Sequence, residues 1–298
     1  MKQPRILAIG DSVCDKYLSR GKMYPGGQCV NTCVYAHMNG ADSAYMGKFG
    51  KDEVAACIQD ALGSMSVDIS HCRYFDGEHG FACVTLHQGD RVFIGSNHGG
   101  VAKEHPYNLT QADFSYMETF DLIYTNLNAY IEADLQKISS LGVPVAFDFS
   151  NRWTDAYLKQ ICPRIQVAML SCAHLSSEQR EKEMKKVATL GVPLVLGTIG
   201  EAGSYLLYKG EILFADAVKA EHAMDTMGAG DAYFAAFLTY ILQHGGKAFF
   251  GQTETEKNRK LLQEAMCAGA AFSAKICCIE GAFGYGIPIT GRVIDNRK

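Results

Sequence analysis

Val167-Ala168-Met169-Leu170, the Glu- and Lys-rich stretch 178–190, and Leu194-Val195-Leu196-Gly197-Thr198 together decide the fold. The two apolar runs are short and bounded, as strands buried on both faces are. The stretch between them has the length of a helix. A strand, a covering helix and a second strand make a unit whose strands run parallel. The pattern recurs upstream. Leu122-Ile123-Tyr124-Thr125 and Val143-Pro144-Val145-Ala146-Phe147 flank a helix expected over 132–141. Ile6-Leu7-Ala8-Ile9-Gly10 is a strand followed by a helix that ends near Met38. Ser43-Ala44-Tyr45-Met46-Gly47 is a strand followed by a helix over 53–65. Further helices are expected over 228–243 and 256–275. The fold class is therefore α/β: a mostly parallel central sheet flanked by helices.

Two hairpins interrupt this alternation. Phe81 to His87, a turn at Gln88-Gly89-Asp90, and Arg91 to Ile94 read as two strands of a small accessory sheet. Segments 204–208 and 212–215 read as a second hairpin around Lys209-Gly210. No linker, repeat or low-complexity stretch divides the chain, so residues 1–298 are expected to form one domain. The polar run 252–260 reads as a surface connection.

Apolar residues make up 48% of the 298, enough to build a large core without disulfides. The formal net charge of −4 argues against a nucleic-acid or anionic-membrane surface. The eleven cysteines form no C-x-x-C pair, and most are expected to be small buried hydrophobes in a reducing compartment. Met1-Lys2-Gln3-Pro4-Arg5 runs directly into a strand without the apolar core of a signal peptide. No run is long enough to span a membrane. A cytoplasmic enzyme is expected.

The chemistry centres on Asp225-Thr226-Met227-Gly228-Ala229-Gly230-Asp231, which opens an apolar helix. Small residues at a helix start let N–H groups approach an anion, and the helix dipole favours it. Asp231 in the first turn either caps the helix or accepts the proton of a hydroxyl attacking phosphorus. The loop is neither a Walker A motif nor a dinucleotide fingerprint.

The full string Asp-Thr-x-Gly-Ala-Gly-Asp resembles the C-terminal signature of the PfkB/ribokinase family of carbohydrate kinases. Other family marks follow in order: Gly10-Asp11 with Asp15, Pro25-Gly26-Gly27 with Asn31, Gly47-x-x-Gly50-x-Asp52, and Thr198-x-Gly200-x-x-Gly203. The resemblance implies a ribokinase-like fold and an ATP-dependent sugar kinase. It implies Asp231 as catalytic base, with Gly228, Ala229 and Gly230 as the anion hole. Thr198, Gly200, Gly203 and Thr226 would hold the nucleotide together with Gly228 and Gly230. Asp11, Asp15, Gly26, Gly27 and Asn31 would hold the sugar. Asp225 and Thr226 sit where some members bind a monovalent cation, K⁺, through backbone and side-chain oxygens. A discontinuous β lid, from about 12–25 and 80–97, would close over substrate and pair with the lid of a second subunit in a homodimer.

One family element is altered. The usual Asn-x-x-Glu, which organises Mg²⁺ and its water, is replaced by Ser171-Cys172-Ala173-His174, with Glu178 one turn further on. No Mg²⁺ ligand can be assigned, and the nucleotide phosphates are expected to carry the ion. Within the family, residues 146–153, 89–93 and 67–71 resemble the fructoselysine 6-kinases. That resemblance implies transfer to the 6-hydroxyl of fructoselysine. Arg91 is expected either to face the substrate's carboxylate or to be a solvated turn residue. The alternatives are another kinase of the family, for fructose, ribose, 2-keto-3-deoxygluconate or a nucleoside, and a non-catalytic sugar- or nucleotide-binding regulator.

Overall fold

The computed structural model describes residues 3–87, 90–251 and 256–296. In chain order the strands are β1 (Arg5–Ile9), β2 (Val13–Tyr17), β3 (Lys22–Gly26), β4 (Asp42–Met46), β5 (Lys48–Phe49), β6 (Arg73–Tyr74), β7 (Phe81–His87), β8 (Asp90–Ser96), β9 (Leu122–Asn126), β10 (Val145–Asp148), β11 (Val167–Ser171), β12 (Leu194–Thr198), β13 (Ser204–Tyr208), β14 (Glu211–Ala215) and β15 (Ile287–Pro288). The helices are α1 (Gln28–Met38), α2 (Glu53–Ser64), α3 (Val101–Glu104), α4 (Gln111–Met117), α5 (Leu135–Ser139), α6 (Asp155–Ile161), α7 (Ser177–Thr189), α8 (Ala229–Gly245) and α9 (Glu256–Ile276).

Eight strands form the main sheet in the order β14-β13-β12-β11-β10-β9-β1-β4. From β4 to β12 every pairing is parallel; β13 and β14 add an antiparallel edge. The two-residue period of a strand divides its side chains between two cores. Ile6, Ala8, Tyr124, Met169 and Leu196 pack on the face covered by α1, α8 and α9. Leu7, Ile9, Ile123, Leu170 and Val195 pack on the other, with residues of α4 to α7. This double burial is why the strand segments read as unbroken apolar runs.

A second sheet, ordered β15-β3-β2-β7-β8, contains the expected hairpin, β7 with β8. Its turn residues Gln88 and Gly89 lie outside the described residues, as do residues 252–255 of the polar run. Strands β2 and β3 carry no apolar alternation. Asp15 and Lys16 are both buried in β2. The Lys16 ammonium donates to the carbonyls of Thr290 and Arg292 at 2.7 and 2.6 Å, fastening the C-terminal segment to this sheet.

Three local expectations shift. The helix expected over 132–141 is only α5, Leu135–Ser139. Strand β10 begins at Val145, after Pro144, which has no N–H to give a ladder. Helices α3, α4 and α6 come in addition to those expected, although the caps of α4 and α6 are legible. Thr110 and Asp113 form a capping box, and Thr154 accepts from the Tyr157 N–H. All eleven cysteines are free thiols, most of them buried.

Candidate active site

Parallel strands end on one edge of the sheet, and there the polar residues gather. Asp11 follows β1, and Asn126, Asp148, Ser171 and Thr198 close β9, β10, β11 and β12. The N-termini of α1 and α8 meet the same edge.

Helix α8 begins at Gly228, its N-cap, with φ +75° and no side-chain cap. The Ala229 N–H turns back to the Thr226 carbonyl at 3.2 Å, and the positive end of the helix dipole favours an anion beside this turn. A Cβ at Gly228 would overlap the Tyr35 hydroxyl, so glycine is required for space as well as for backbone conformation. Asp231 lies in the first turn, 9% exposed. Its Oδ2 accepts from Asn31 Nδ2 at 2.7 Å, which joins the start of α8 to the side of α1.

On one side of this loop is a cavity of about 620 Å³ lined by Ser171, Thr198, Gly200, Gly203, Thr226 and Gly230. Its lining also includes the small side chains of Ala223, Ala270 and Ala274. Gly203, at φ +107°, has no room for a Cβ against the Ala215 carbonyl. The space can take a flat ring at one end and anionic groups at the helix start.

On the other side are the carboxylates. Asp11 accepts from the N–H groups of Gln28 and Cys29 at 2.9 and 3.1 Å, and from Asn126 Nδ2 at 2.6 Å. The N-cap of α1 is Gly27, which has no side chain, so Asp11 caps this helix from the end of β1. Asp15 Oδ2 and Asn31 Oδ1 lie 3.5 and 3.7 Å from where a Cβ on Gly26 would sit. Glycine keeps the space between them open. Asn31 Oδ1 is buried without a hydrogen-bond partner, ready to accept one. Asp148 accepts from the Ser150 N–H at 2.6 Å and from Gln28 Nε2 at 2.9 Å. Burial first, and then the negative charge of Asp231, push its carboxyl up to about 7. Gln28 Oε1 accepts from Asn128 Nδ2 at 3.0 Å, and Asn128 Oδ1 accepts from Arg152 at 2.7 Å.

The residues singled out in the sequence thus converge around Asp231, with three qualifications. Asp225 points away from the cavity, toward Tyr17 and Arg20 of the small sheet. Arg91 pairs with Leu86 in the hairpin, and its side chain lies outside the described part of the structure. The residues at the altered Asn-x-x-Glu separate: Ser171 lines the cavity, whereas His174 and Glu178 are exposed. Among the described residues no group of three or more His, Cys, Asp or Glu could hold a metal. The Gly47–Asp52 motif serves the scaffold. Asp52 caps α2 through the Ala55 N–H and also accepts from the His79 N–H. Sequence reasoning misses Gln28, Asn126, Asn128, Asp148, Tyr17 and Arg20. Asp148 lies within the segment 146–153, and position at a strand's carboxyl end is the signal available for it and Asn126.

A parallel sheet with an anion-ready helix start between a nucleotide-sized cavity and a cluster of hydroxyl-binding groups defines a phosphotransferase. Residues 6–282 match the model of the pfkB family carbohydrate kinases, and the chain belongs to that family. It is an ATP-dependent sugar kinase, transferring phosphate to a sugar hydroxyl. It is 34% identical over 285 residues to fructosamine kinase FrlD of Bacillus subtilis, covering 95% of this chain and 94% of that one. It is 29% identical over 278 residues to fructoselysine 6-kinase of Escherichia coli, covering 93% and 99%. Arabidopsis thaliana ribokinase, solved with ribose and ATP, superposes with a TM-score of 0.75 at 20% identity, over 96% of each chain. That likeness establishes the ribokinase-like fold.

Proposed function

We propose that this kinase transfers the γ-phosphoryl group of ATP to the 6-hydroxyl of fructoselysine or a related fructosamine, with Asp231 as general base. The observation that carries the catalytic part is the Asn31–Asp231 hydrogen bond, which ties the sugar-facing helix to the phosphate loop. The hydroxyl oxygen attacks the γ-phosphorus and gives its proton to Asp231. The bond from phosphorus to the bridging oxygen breaks, and ADP leaves with the electron pair. The N–H groups of Gly228, Ala229 and Gly230 stabilise the charge on the transferring group. Thr198, Gly200, Gly203 and Thr226 hold the nucleotide. Asp11, Asp15, Asn31, Gly26 and Gly27 hold the sugar. Magnesium would arrive with ATP, held chiefly by phosphate oxygens and water, which suit a hard cation. The small sheet acts as a lid that keeps water from the phosphoryl group.

The substrate class rests on the curated relatives and on the outer rim of the site. Arg152 makes no ion pair among the described residues, and Asn128 links it to Gln28 beside Asp148. An anionic aglycone carried on a fructosamine would meet that guanidinium. The test is ADP release with Mg-ATP across fructoselysine, other fructosamines, fructose, ribose, 2-keto-3-deoxygluconate and nucleosides. Fructoselysine or another fructosamine should give the highest kcat/KM, and Arg152→Ala should raise KM for fructosamines but not for fructose. Better turnover of fructose or a nucleoside by the wild type rejects the assignment. ATP binding without turnover of any sugar would favour a regulator.

A homodimer through the small sheet is the second part of this reading. Phe93, on its outer strand β8, is 64% exposed. Light scattering at micromolar concentration should give twice the chain mass for the wild type and a monomer for Phe93→Glu. A monomeric wild type excludes the dimer.

A further inference from the structure

Asp225, in the turn before the phosphate loop, is 4% exposed. A carboxylate so buried is costly unless it is paired and hydrogen-bonded. Its partners all bring hydrogens. The Tyr17 hydroxyl, Arg20 Nη1 and the Gly281 N–H donate to Oδ2 at 2.8, 3.3 and 3.2 Å. The Met227 N–H donates to Oδ1 at 3.0 Å. A hard metal cation needs oxygen lone pairs turned toward it. Here O–H and N–H groups occupy the carboxylate, and a guanidinium already supplies the positive charge. The donor set around the Asp225 carboxylate therefore does not fit the K⁺ that the family resemblance implies.

We infer that Arg20 is a positioning residue for phosphotransfer and stands in for a monovalent cation at the base of the phosphate loop. Arg20 comes from the turn between β2 and β3, its side chain is 20% exposed, and its guanidinium lies 5.1 Å from the centre of the Tyr17 ring. The neighbouring strand β3 grips the segment after α9. Tyr24 donates to Glu280 at 2.8 Å, and Lys22 pairs with Glu280 at 3.5 Å. The small sheet, the C-terminal segment and the phosphate loop thus meet at one carboxylate. Asp225 also orders the Met227 N–H, one residue before the Gly228 cap. Loss of the guanidinium would loosen the turn that sets the first N–H groups of α8.

The inference depends on phosphotransfer at this loop and not on which sugar is used. It is read by ADP release with whichever sugar of the panel turns over, and by calorimetric ATP binding if none does. For the wild type, kcat or ATP affinity should agree within about 1.5-fold in potassium, sodium and tetramethylammonium chloride at equal ionic strength, because the charge is internal. Arg20→Ala should lower that readout in tetramethylammonium by about tenfold, the order of one charge-assisted hydrogen bond. Millimolar guanidinium, which donates N–H groups as Arg20 does, should restore it, and K⁺ should not. Arg20→Lys, which keeps the charge, should remain indifferent to K⁺. Several-fold stimulation of the wild type by K⁺ over tetramethylammonium overturns the inference. So does an Arg20→Ala variant with unchanged kcat, or one whose loss guanidinium does not repair. If Arg20→Ala does not fold, the wild-type cation series decides alone.

Discussion

Asp231→Asn is expected to lower kcat by roughly 10²–10⁴ while leaving ATP binding close to wild type, the range for loss of a positioned general base. The substitution keeps the size of the side chain and removes only its capacity to take a proton. The cavity proposed for the nucleotide is lined by residues other than Asp231, so ATP affinity should change little. The competing reading, a helix cap, makes a different forecast. Gly228 is the N-cap of α8 and no side chain caps the helix. A purely structural Asp231 would therefore register as a lower melting temperature with near-normal turnover. Measured together, kcat, calorimetric ATP affinity and Tm separate the two. A rate within about threefold of wild type would remove Asp231 from the chemistry. Asn31 sharpens the comparison. Its amide donates to Asp231, so in Asp231→Asn two amides face each other and one must turn to pair. Asn31→Ala should thus lower kcat less than Asp231→Asn does, because the base remains but is no longer held.

The parts of this molecule that are legible in the sequence are those where one physical demand dominates. Strands buried on both faces are apolar until they reach the polar edge of the sheet, so β9, β11 and β12 stand out as runs. The start of α8 must combine small residues with a carboxylate, so its string is plain from the residue order alone. Strands β2 and β3 are harder because their buried positions include Asp15 and Lys16, whose polarity is met by partners far away in the chain. Lys16 is satisfied by carbonyls at 290 and 292, which no local pattern announces. The same holds for the site's supporting groups. Asn126 and Gln28 act by bridging to Asp11 and Asp148 across separations of about a hundred residues. Asp225 is the opposite case. Its place in the motif is plain, but the guanidinium that meets it comes from residue 20, a turn position with no signature of its own.

Gly228→Ala is expected to be severely damaging although it alters no reacting group. Two costs add at this position. An alanine held at φ +75° is strained by about 1–2 kcal/mol. Its Cβ would also overlap the hydroxyl of Tyr35, a buried side chain that donates to the Ala282 carbonyl. Overpacking of this kind costs about 1–3 kcal/mol more, and the backbone of the loop is what can give way. The same Cβ would lie 3.3 Å from Asn31 Nδ2, the group that holds Asp231. Movement of the loop therefore displaces both the N–H groups at the start of α8 and the Asp231 carboxylate, the proposed base. Stability should fall by about 2–5 kcal/mol and kcat by at least about 10², since a shift near 1 Å in a positioned site has that effect. The partition between the two causes is open to a double-mutant cycle. Tyr35→Phe removes the overlapping oxygen and leaves the backbone strain untouched. If the clash dominates, Gly228→Ala combined with Tyr35→Phe will recover part of the melting temperature and of kcat relative to Gly228→Ala alone. If strain dominates, the double variant will be no better than the sum of the singles. A Gly228→Ala enzyme with wild-type kcat would mean that the first turn of α8 tolerates displacement, and that the phosphoryl group is stabilised by other donors.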